Sequence, residues 1–172
     1  MSRNVILYIA TSLDGYIADQ NGGVDWLHQF EGYHDFGYHE FMETIDTTLM
    51  GRRTYEHVLQ LADEFPYRDK TNYVFSTTQT GSNEHVQFTK EAPEAFIESL
   101  KKQRGKDIWI VGGASLLKDF IALDLIDEFK IFTMPVLLGD GIPLFERPLE
   151  EKKLSLKEVK QYGDVIESTY IK

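Results

Sequence analysis

The chain has 172 residues and a net charge of −10, which suits one domain with a substantial hydrophobic core. An acidic balance of this size argues against broad electrostatic binding to nucleic acid or to an anionic lipid surface. The absence of cysteine excludes disulfides and thiol nucleophiles. The first apolar run covers only about seven residues, too few for a signal peptide or a membrane span. We therefore expect a cytoplasmic protein, in which local basic clusters can still bind a phosphate.

Predicted strands and helices alternate along the chain. Residues 4–11 form a nearly continuous β-branched run, which is typical of a strand buried on both faces. Residues 12–27, rich in Gly, Asp and Asn, are predicted to form a loop, and apolar spacing then predicts a helix from about Tyr33 to Ile45. Further strands are predicted at 47–51, 71–77, 107–113 and 125–138, and further helices at 53–65, 92–104 and 114–123.

The last part of the sequence predicts a closing hairpin. Residues 154–162 and 165–172 form its strands, joined near Gly163. The alternation before it predicts a three-layer α/β/α domain over residues 1–172, with a mostly parallel sheet and an antiparallel C-terminal hairpin. Ligands of such sheets sit beyond the carboxyl ends of the strands. One crevice should therefore be lined by the loops that start at Thr11, Gly51, Ser76 and Gly112.

Residues 51–54, Gly-Arg-Arg-Thr, lie where the second predicted helix begins. A helix N-terminus has free N–H groups and a partial positive charge, so Arg52 and Arg53 are unfavourable there unless an anion binds. A phosphorylated ligand would turn this cost into binding energy, because guanidinium groups match phosphate oxygens. The alternative is a solvated basic pair that forms salt bridges with some of the many carboxylates.

Two other strand ends carry residues suited to a nucleotide. Gly112 and Gly113 lie between a strand and a helix, where glycine lets the backbone approach a pyrophosphate closely. They do not form the GxGxxG fingerprint, and a tight strand-to-helix turn is their alternative role. Ser76 and Thr77 can hold phosphate or ribose, or cap a turn, while Lys90 faces either the same pocket or solvent.

Residues 12–27 are long for a loop without regular structure, and such loops commonly act as lids over active sites. The apolar side chains of Ile17, Trp26 and Leu27 argue against a disordered surface loop. We expect Asp14 and Trp26 to contact the substrate. No metal site is expected, because the histidines form no chelating pattern such as HExxH.

The chain resembles the dihydrofolate-reductase-like family in several segments, which are, in order, "SLDGYIA", "LMGRRTYE", "VFST", "IWIVGGASLLKDFI" and "PVLLGDGIPLF". Within it, the chain is most similar to the C-terminal reductase domain of the bifunctional riboflavin-biosynthesis deaminase/reductase. The resemblance extends over nearly the whole chain. It implies a dihydrofolate-reductase-like fold, hydride transfer from NADPH and a homodimer formed through a sheet edge.

The resemblance also implies contacts to the cofactor. The loop formed by Gly51, Arg52, Arg53 and Thr54 would hold the adenosine 2′-phosphate and the diphosphate, and so select NADPH over NADH. The adenosine end would contact Ser76, Thr77 and Lys90. The diphosphate and the nicotinamide ribose would contact Gly112, Gly113, Ala114 and Ser115. The nicotinamide would contact Ala10 and Ile17.

The resemblance implies one acidic residue as the source of the proton. In dihydrofolate reductases it sits on the helix before the "MGR" strand, and Asp35 stands here at matching spacing, with His34, His39 and Glu40 nearby. Asp35 is therefore the predicted catalytic acid. Capping of the helix N-terminus is its alternative role.

Several positions depart from the family patterns. The folate enzymes have a proline before the acid, which is missing here, and Lys70 stands where they bind the substrate with an arginine. The riboflavin branch usually has Glu before the two glycines and often Lys after "SLDG", where this chain has Val111 and Tyr16. The predicted function is an NADPH-dependent reductase resembling 5-amino-6-(5-phosphoribosylamino)uracil reductase, acting on a pyrimidine or related heterocycle. The alternatives are a dihydrofolate reductase and a nucleotide-binding protein without turnover.

Overall fold

The computed structural model describes residues 2–30, 32 and 35–172. A 3₁₀ helix spans Asp25–Phe30. The strands are β1 (Val5–Ser12), β2 (Tyr16–Ala18), β3 (Ile45–Gly51), β4 (Thr71–Phe75), β5 (Val86–Thr89), β6 (Asp107–Gly112), β7 (Glu128–Met134), β8 (Ile142–Pro143), β9 (Ser155–Tyr162) and β10 (Val165–Ile171). The helices are α1 (Tyr38–Thr44), α2 (Arg52–Leu61), α3 (Pro93–Lys102) and α4 (Ala114–Ala122).

Eight strands form one mixed sheet in the order β5-β4-β3-β6-β1-β7-β10-β9. Neighbours from β5 to β7 run parallel, while β10 is antiparallel to both β7 and β9. The predicted α/β fold, mostly parallel with an antiparallel C-terminal hairpin, is confirmed.

Helices cover both faces of this sheet. Val5 and Leu7 of β1 belong to a core cluster that also contains side chains of α3 and α4. Ile6, which lies between them, belongs to a second cluster with Phe41 of α1 and Tyr55 of α2. Successive residues of a strand point to opposite faces, so the two clusters lie on either side of the sheet. The result is the predicted three-layer arrangement.

The parallel connections bring several strand ends to one edge of the sheet. β3 passes into α2 without an intervening loop, since the strand ends at Gly51 and the helix begins at Arg52. Only Gly113 separates β6 from α4. Two helix N-termini therefore lie at the carboxyl ends of neighbouring strands, where α/β sheets bind ligands.

The prediction of a structureless loop over residues 12–27 is wrong in two places. β2 pairs in antiparallel fashion with β8, and the 3₁₀ helix begins at Asp25. Local sequence could not reveal β2, because its partner strand lies far along the chain. Gly141, next to β8, has φ +148 and approaches the carbonyl oxygen of Ala18 so closely that a Cβ atom would not fit.

Other predicted boundaries also differ. α1 begins at Tyr38, directly after Gly37, whose backbone is left-handed with φ 72. The predicted start of this helix, Tyr33, lies outside the described residues. α2 ends at Leu61, because the backbone is extended from the next residue. β7 is shorter than expected and ends before Pro135, which has no backbone N–H for the sheet. The short strand β5 has no counterpart among the predicted elements.

Candidate functional site

A cleft of about 1040 Å³ lies at the carboxyl ends of β1, β3, β4 and β6. It is lined by every residue predicted to contact the cofactor: Ala10, Ile17, Gly51, Arg52, Arg53, Thr54, Ser76, Thr77, Lys90, Gly112, Gly113, Ala114 and Ser115. The fold thus brings together segments that are far apart in the sequence at one edge of the sheet. Whether they bind a cofactor stays a prediction.

The two arginines at the start of α2 have different surroundings. Arg52 Nη1 lies 3.2 Å from Glu56 Oε1, one helical turn away, and both side chains are about half exposed. Arg53 makes no hydrogen bond or ion pair within the described part of the chain. The first turn of α2 contains no acidic residue, and no side chain caps its N-terminus. An anion could therefore meet free N–H groups and the unpaired guanidinium of Arg53 together.

The start of α2 lies directly against the glycine turn. A Cβ atom added to Gly51 would lie 3.6 Å from Gly113 N, and one added to Gly113 would lie 2.9 Å from Thr54 Oγ1. Gly112 has φ +135, a conformation that side chains rarely allow, and its peptide bond to Gly113 is cis. These glycines permit the close approach of Thr54, and their predicted approach to a diphosphate stays a prediction.

A second helix N-terminus opens onto the same cleft. α4 begins at Ala114, follows Gly113 as its N-cap, and has neither a side-chain cap nor an acidic residue in its first turn. Ser115 is exposed and lines the cleft. Two uncapped helix N-termini facing one cleft each contribute a partial positive charge to it.

The outer wall of the cleft carries hydroxyl groups and one lysine. Ser76 is buried, and its Oγ accepts hydrogen bonds from the N–H groups of Thr78 at 3.2 Å and Gln79 at 3.0 Å. Its hydroxyl therefore caps a turn, which was the alternative role for this residue. Thr77 and Lys90 are exposed at the same wall.

The opposite wall is mostly apolar. Ala10 of β1 and Ile17 of β2 line it, and Val111 and Ile142 add further aliphatic surface. Val24 and Leu27, from the segment between β2 and α1, close the cleft on this side. Such a surface suits the flat, weakly polar ring of a heterocycle better than a phosphate.

Neither residue predicted to contact the substrate lines the cleft. The Asp14 carboxylate accepts hydrogen bonds from Ser12 Oγ at 2.6 Å and from the N–H groups of Leu138 and Gly139 at 3.1 and 2.8 Å. These hydrogen bonds lower the pKa of Asp14, and the bond from Ser12 contributes most. Trp26 packs against a small apolar cluster, and its buried Nε1 has no hydrogen-bond partner in the described part of the chain. Substrate contacts by Asp14 and Trp26 stay predictions.

Asp35, the predicted acid, is exposed and also lies outside the cleft lining. Its Oδ1 accepts a hydrogen bond from Gly37 N at 2.8 Å and its Oδ2 one from His39 N at 3.4 Å. The carboxylate thus orders the turn before α1, while the N-cap residue itself is Gly37, which has no side-chain cap. A role as proton donor stays a prediction.

Phe36 and Gly37, which follow Asp35, line a separate polar cavity of about 240 Å³ between α1 and the hairpin. Glu167 is 3 % exposed there, 3.3 Å from Lys130 Nζ, and accepts a hydrogen bond from the Tyr162 hydroxyl at 3.2 Å. Burial and the neighbouring Glu167 raise the pKa of Tyr162 to about 12. The charges of Lys130 and Glu167 balance each other in this cavity.

The residues that sequence reasoning missed include His57 of α2, Asp119 of α4 and Glu91, which all line the cleft. His57 follows Arg53 by four residues, so helical periodicity alone could have placed both side chains on one face. Asp119 and Glu91 carried no such signal.

Two kinds of feature are missing from residues 2–30, 32 and 35–172. No three side chains of His, Cys, Asp or Glu come together as a metal site in this part of the chain. Every helix in it is too short or too polar to cross a lipid bilayer.

The fold and the position of the cleft define an α/β protein of the dihydrofolate-reductase-like class. A dihydrofolate reductase from Enterococcus faecalis, complexed with NADP(H), superimposes with a TM-score of 0.67 at 18% identity and 99% and 98% coverage of the two chains, which shows the shared fold. A family model described as the RibD C-terminal domain matches residues 3–167, so the chain belongs to this family.

The chain is also similar to individual proteins along its whole length. The uncharacterized protein YwjB of Bacillus subtilis (strain 168) is 50% identical over 173 residues, covering 100% of this chain and 99% of its own. A protein of Shewanella sp. PV-4, provisionally assigned to riboflavin biosynthesis, has a TM-score of 0.88 at 34% identity, with 99% and 98% of the chains covered. The deaminase/reductase of Thermotoga maritima has a TM-score of 0.76 at 17% identity, and the chain covers 56% of it.

Proposed function

We propose that this protein is an NADPH-dependent reductase whose acceptor is a pyrimidine or a related heterocycle. The observation that carries the proposal is the juxtaposition of α2 and the glycine turn, which places an unpaired Arg53 beside two uncapped helix N-termini in one cleft. Membership of the RibD C-terminal domain family supports it.

Each part of the cleft suits a different part of the dinucleotide. The uncapped N-termini of α2 and α4 offer N–H donors to the diphosphate, and Arg53 offers its guanidinium to the 2′-phosphate. Thr77 and Lys90 would hold the adenosine end. The apolar wall at Ala10 and Ile17 would support the nicotinamide and exclude water beside it. NADPH, once bound, would supply a hydride.

The acceptor belongs to the same apolar side of the cleft. It must lie against the nicotinamide to receive a hydride, and Val24 and Leu27 are placed to cover it. The Shewanella and Thermotoga relatives carry names from riboflavin biosynthesis, which favours an aminopyrimidine ribosyl phosphate as the substrate class. The riboflavin branch usually has Glu at the position of Val111, which here adds an apolar group to the wall. The proposed substrate class therefore also includes related heterocycles.

Cofactor selectivity provides the test, with a matched pair of variants. Arg53→Ala should weaken NADPH binding by about tenfold to a hundredfold and leave NADH binding nearly unchanged, because a phosphate loses a charge-assisted hydrogen bond. Arg52→Ala, which removes a guanidinium already paired with Glu56, should change either affinity by less than about threefold. Fluorescence titration of both dinucleotides measures these constants.

Equal losses of NADPH and NADH affinity in the Arg53 variant would contradict the assignment of the 2′-phosphate. Failure of the natural protein to bind NADPH would contradict the proposed function altogether. Turnover is tested separately, by following NADPH oxidation with pterins, flavin precursors and pyrimidines in the presence and absence of the Asp35→Asn substitution. Binding without any acceptor would favour a nucleotide-binding protein, and tight methotrexate binding a dihydrofolate reductase.

We further propose a homodimer formed through β9. This edge strand is exposed at every position except Tyr162, and Leu156 and Val159 are 58% and 55% exposed. Its free backbone groups can pair with a second copy of the strand. Light scattering should give twice the chain mass for the natural protein and the chain mass for Val159→Pro; a natural protein that stays monomeric would contradict this.

A further inference from the structure

We propose that His57 is a further contact residue of the cleft, and that its imidazole Nε2 hydrogen-bonds to the bound dinucleotide. This inference rests on the proposed function, since it takes NADPH as the ligand. It concerns a residue that no sequence pattern singled out.

His57 lies on the face of α2 that is turned to the cleft. It follows Arg53 by four residues and Thr54 by three, and residues at these spacings share one side of a helix. All three side chains line the cleft. Arg52 also lines the cleft, but its guanidinium is paired with Glu56 one turn away. The rise of the helix places His57 about 6 Å further along the axis than Arg53.

The Nε2 atom of His57 is closed off from solvent, yet it has no hydrogen-bond partner in the described part of the chain. Buried nitrogen atoms of this kind are nearly always paired, because leaving one unpaired is unfavourable. The ring borders the cleft, and χ2 of histidine has broad minima, so a small rotation can present Nε2 to a ligand. An oxygen atom of the ligand would then satisfy it.

This combination is found at no other histidine or orphaned group in the part of the chain that the structure describes. His85 stacks on Phe65 with ring centres 5.1 Å apart, and His39 is exposed beside Glu43; neither lines the cleft. Trp26 Nε1 and Thr169 Oγ1 are also buried without a partner, but neither residue lines the cleft. Among the described residues, only His57 combines an unsatisfied polar atom with a position in the candidate site.

The partner of His57 should be a group that NADPH and NADH share. Arg53, in the first turn of α2, is the residue proposed for the 2′-phosphate. His57 lies a full turn further on and would meet a different group, such as a ribose hydroxyl, a diphosphate oxygen or the carboxamide. Removing the His57 side chain should therefore weaken the binding of both dinucleotides equally, whereas removing that of Arg53 should weaken the binding of NADPH alone.

Two substitutions separate this role from a structural one. His57→Leu removes the orphaned nitrogen at similar side-chain volume, so it should raise the melting temperature of the ligand-free protein. The same substitution should weaken the binding of NADPH and of NADH about tenfold each. His57→Gln keeps a polar atom near the position of Nε2, so its affinity for either dinucleotide should fall by less than about threefold. His85→Leu serves as the control outside the cleft and should leave both affinities unchanged.

Nitrogen NMR of the histidine side chains gives a direct readout in the natural protein. The Nε2 resonance of His57 should move when saturating NADPH is added, while those of His39 and His85 should not. This measurement also decides the matter if the His57→Leu variant does not fold.

Two results would overturn the inference and leave the proposed function intact. One is a His57→Leu variant that binds NADPH as tightly as the natural protein, and the other is an unchanged His57 resonance in a complex that fluorescence shows to be formed. If fluorescence detects no NADPH complex at all, the proposed function fails first and this inference with it.

Discussion

The edge of the cleft and the segment that connects β1 to α1 use their polar groups in opposite ways. At the cleft, Arg53 is unpaired and the N-termini of α2 and α4 have no side-chain caps. In the connecting segment, Asp14, Asp19 and Asp35 each accept hydrogen bonds from backbone N–H groups. Both regions are rich in glycine and charge, so they look alike in the sequence.

The difference teaches how to separate a binding surface from a folded loop. A group that can bind a ligand has hydrogen-bonding capacity left after the chain has folded, and a group that builds a turn has used it. By this measure the carboxylates between β1 and α1 build turns, and the cleft is the region with hydrogen-bonding capacity left for the proposed ligand. The predictions below test this contrast, from the largest expected effect to the smallest.

Gly113→Ala should cause the largest loss. The added methyl group would lie 2.9 Å from Thr54 Oγ1, so the turn and the start of α2 must move apart. We expect NADPH affinity to fall about a hundredfold and stability by about 1–3 kcal/mol. Titration and urea unfolding measure the two effects. Adding Thr54→Ala removes the clash and should recover most of the stability; a double variant as unstable as the single one would show that Thr54 is not the obstacle.

Substitutions of Asp35 should affect folding more than cofactor binding. Asp35→Ala removes the acceptor for Gly37 N and should cost about 1 kcal/mol, whereas Asp35→Asn keeps an oxygen there and should cost about half of that or less. Both should bind NADPH within about twofold of the natural protein. A fall in turnover of about a hundredfold in the Asn variant, with stability unchanged, would instead establish Asp35 as the acid.

The smallest effect concerns Tyr162 and alkaline pH. Its folded pKa of about 12 lies above the ordinary value of 10.0, so the folded state favours the neutral phenol. The resulting stabilisation is complete below pH 10 and is lost as the pH rises from 10 towards 12. Tyr162→Phe should therefore show a shallower decline of the urea midpoint between about pH 9.5 and 11. Parallel declines in the two proteins would contradict the proposed environment of Tyr162.

Much of the cleft could be predicted because its residues adjoin strand ends. A buried apolar run marks a parallel strand, and the residues after it must lie at the carboxyl edge of the sheet. Arg53, Gly112 and Thr77 were placed correctly at the cleft by this reasoning alone. His57 lies a helical turn away from its strand, so strand ends alone do not place it at the cleft, and its spacing from Arg53 is the one signal in the sequence.

The connecting segment could not be predicted to the same degree. Whether the Asp14 carboxylate faces a substrate or the N–H groups of Leu138 and Gly139 depends on a loop far along the chain. The same long-range pairing of Tyr16 with Pro143 creates β2. Local residue types indicate that such a segment turns, but tertiary contacts decide how its polar atoms are used.

The tight packing of Gly141 against the carbonyl of Ala18 fixes part of the connecting segment. Residues 16–18 are pinned to the 138–143 turn, because no gap remains through which they could lift independently. Gln20 also hydrogen-bonds to Asp140 of that turn, and Leu27 packs against the apolar cluster around Phe132. The wall of the cleft that Ile17 and Leu27 provide is therefore anchored by residues far along the chain.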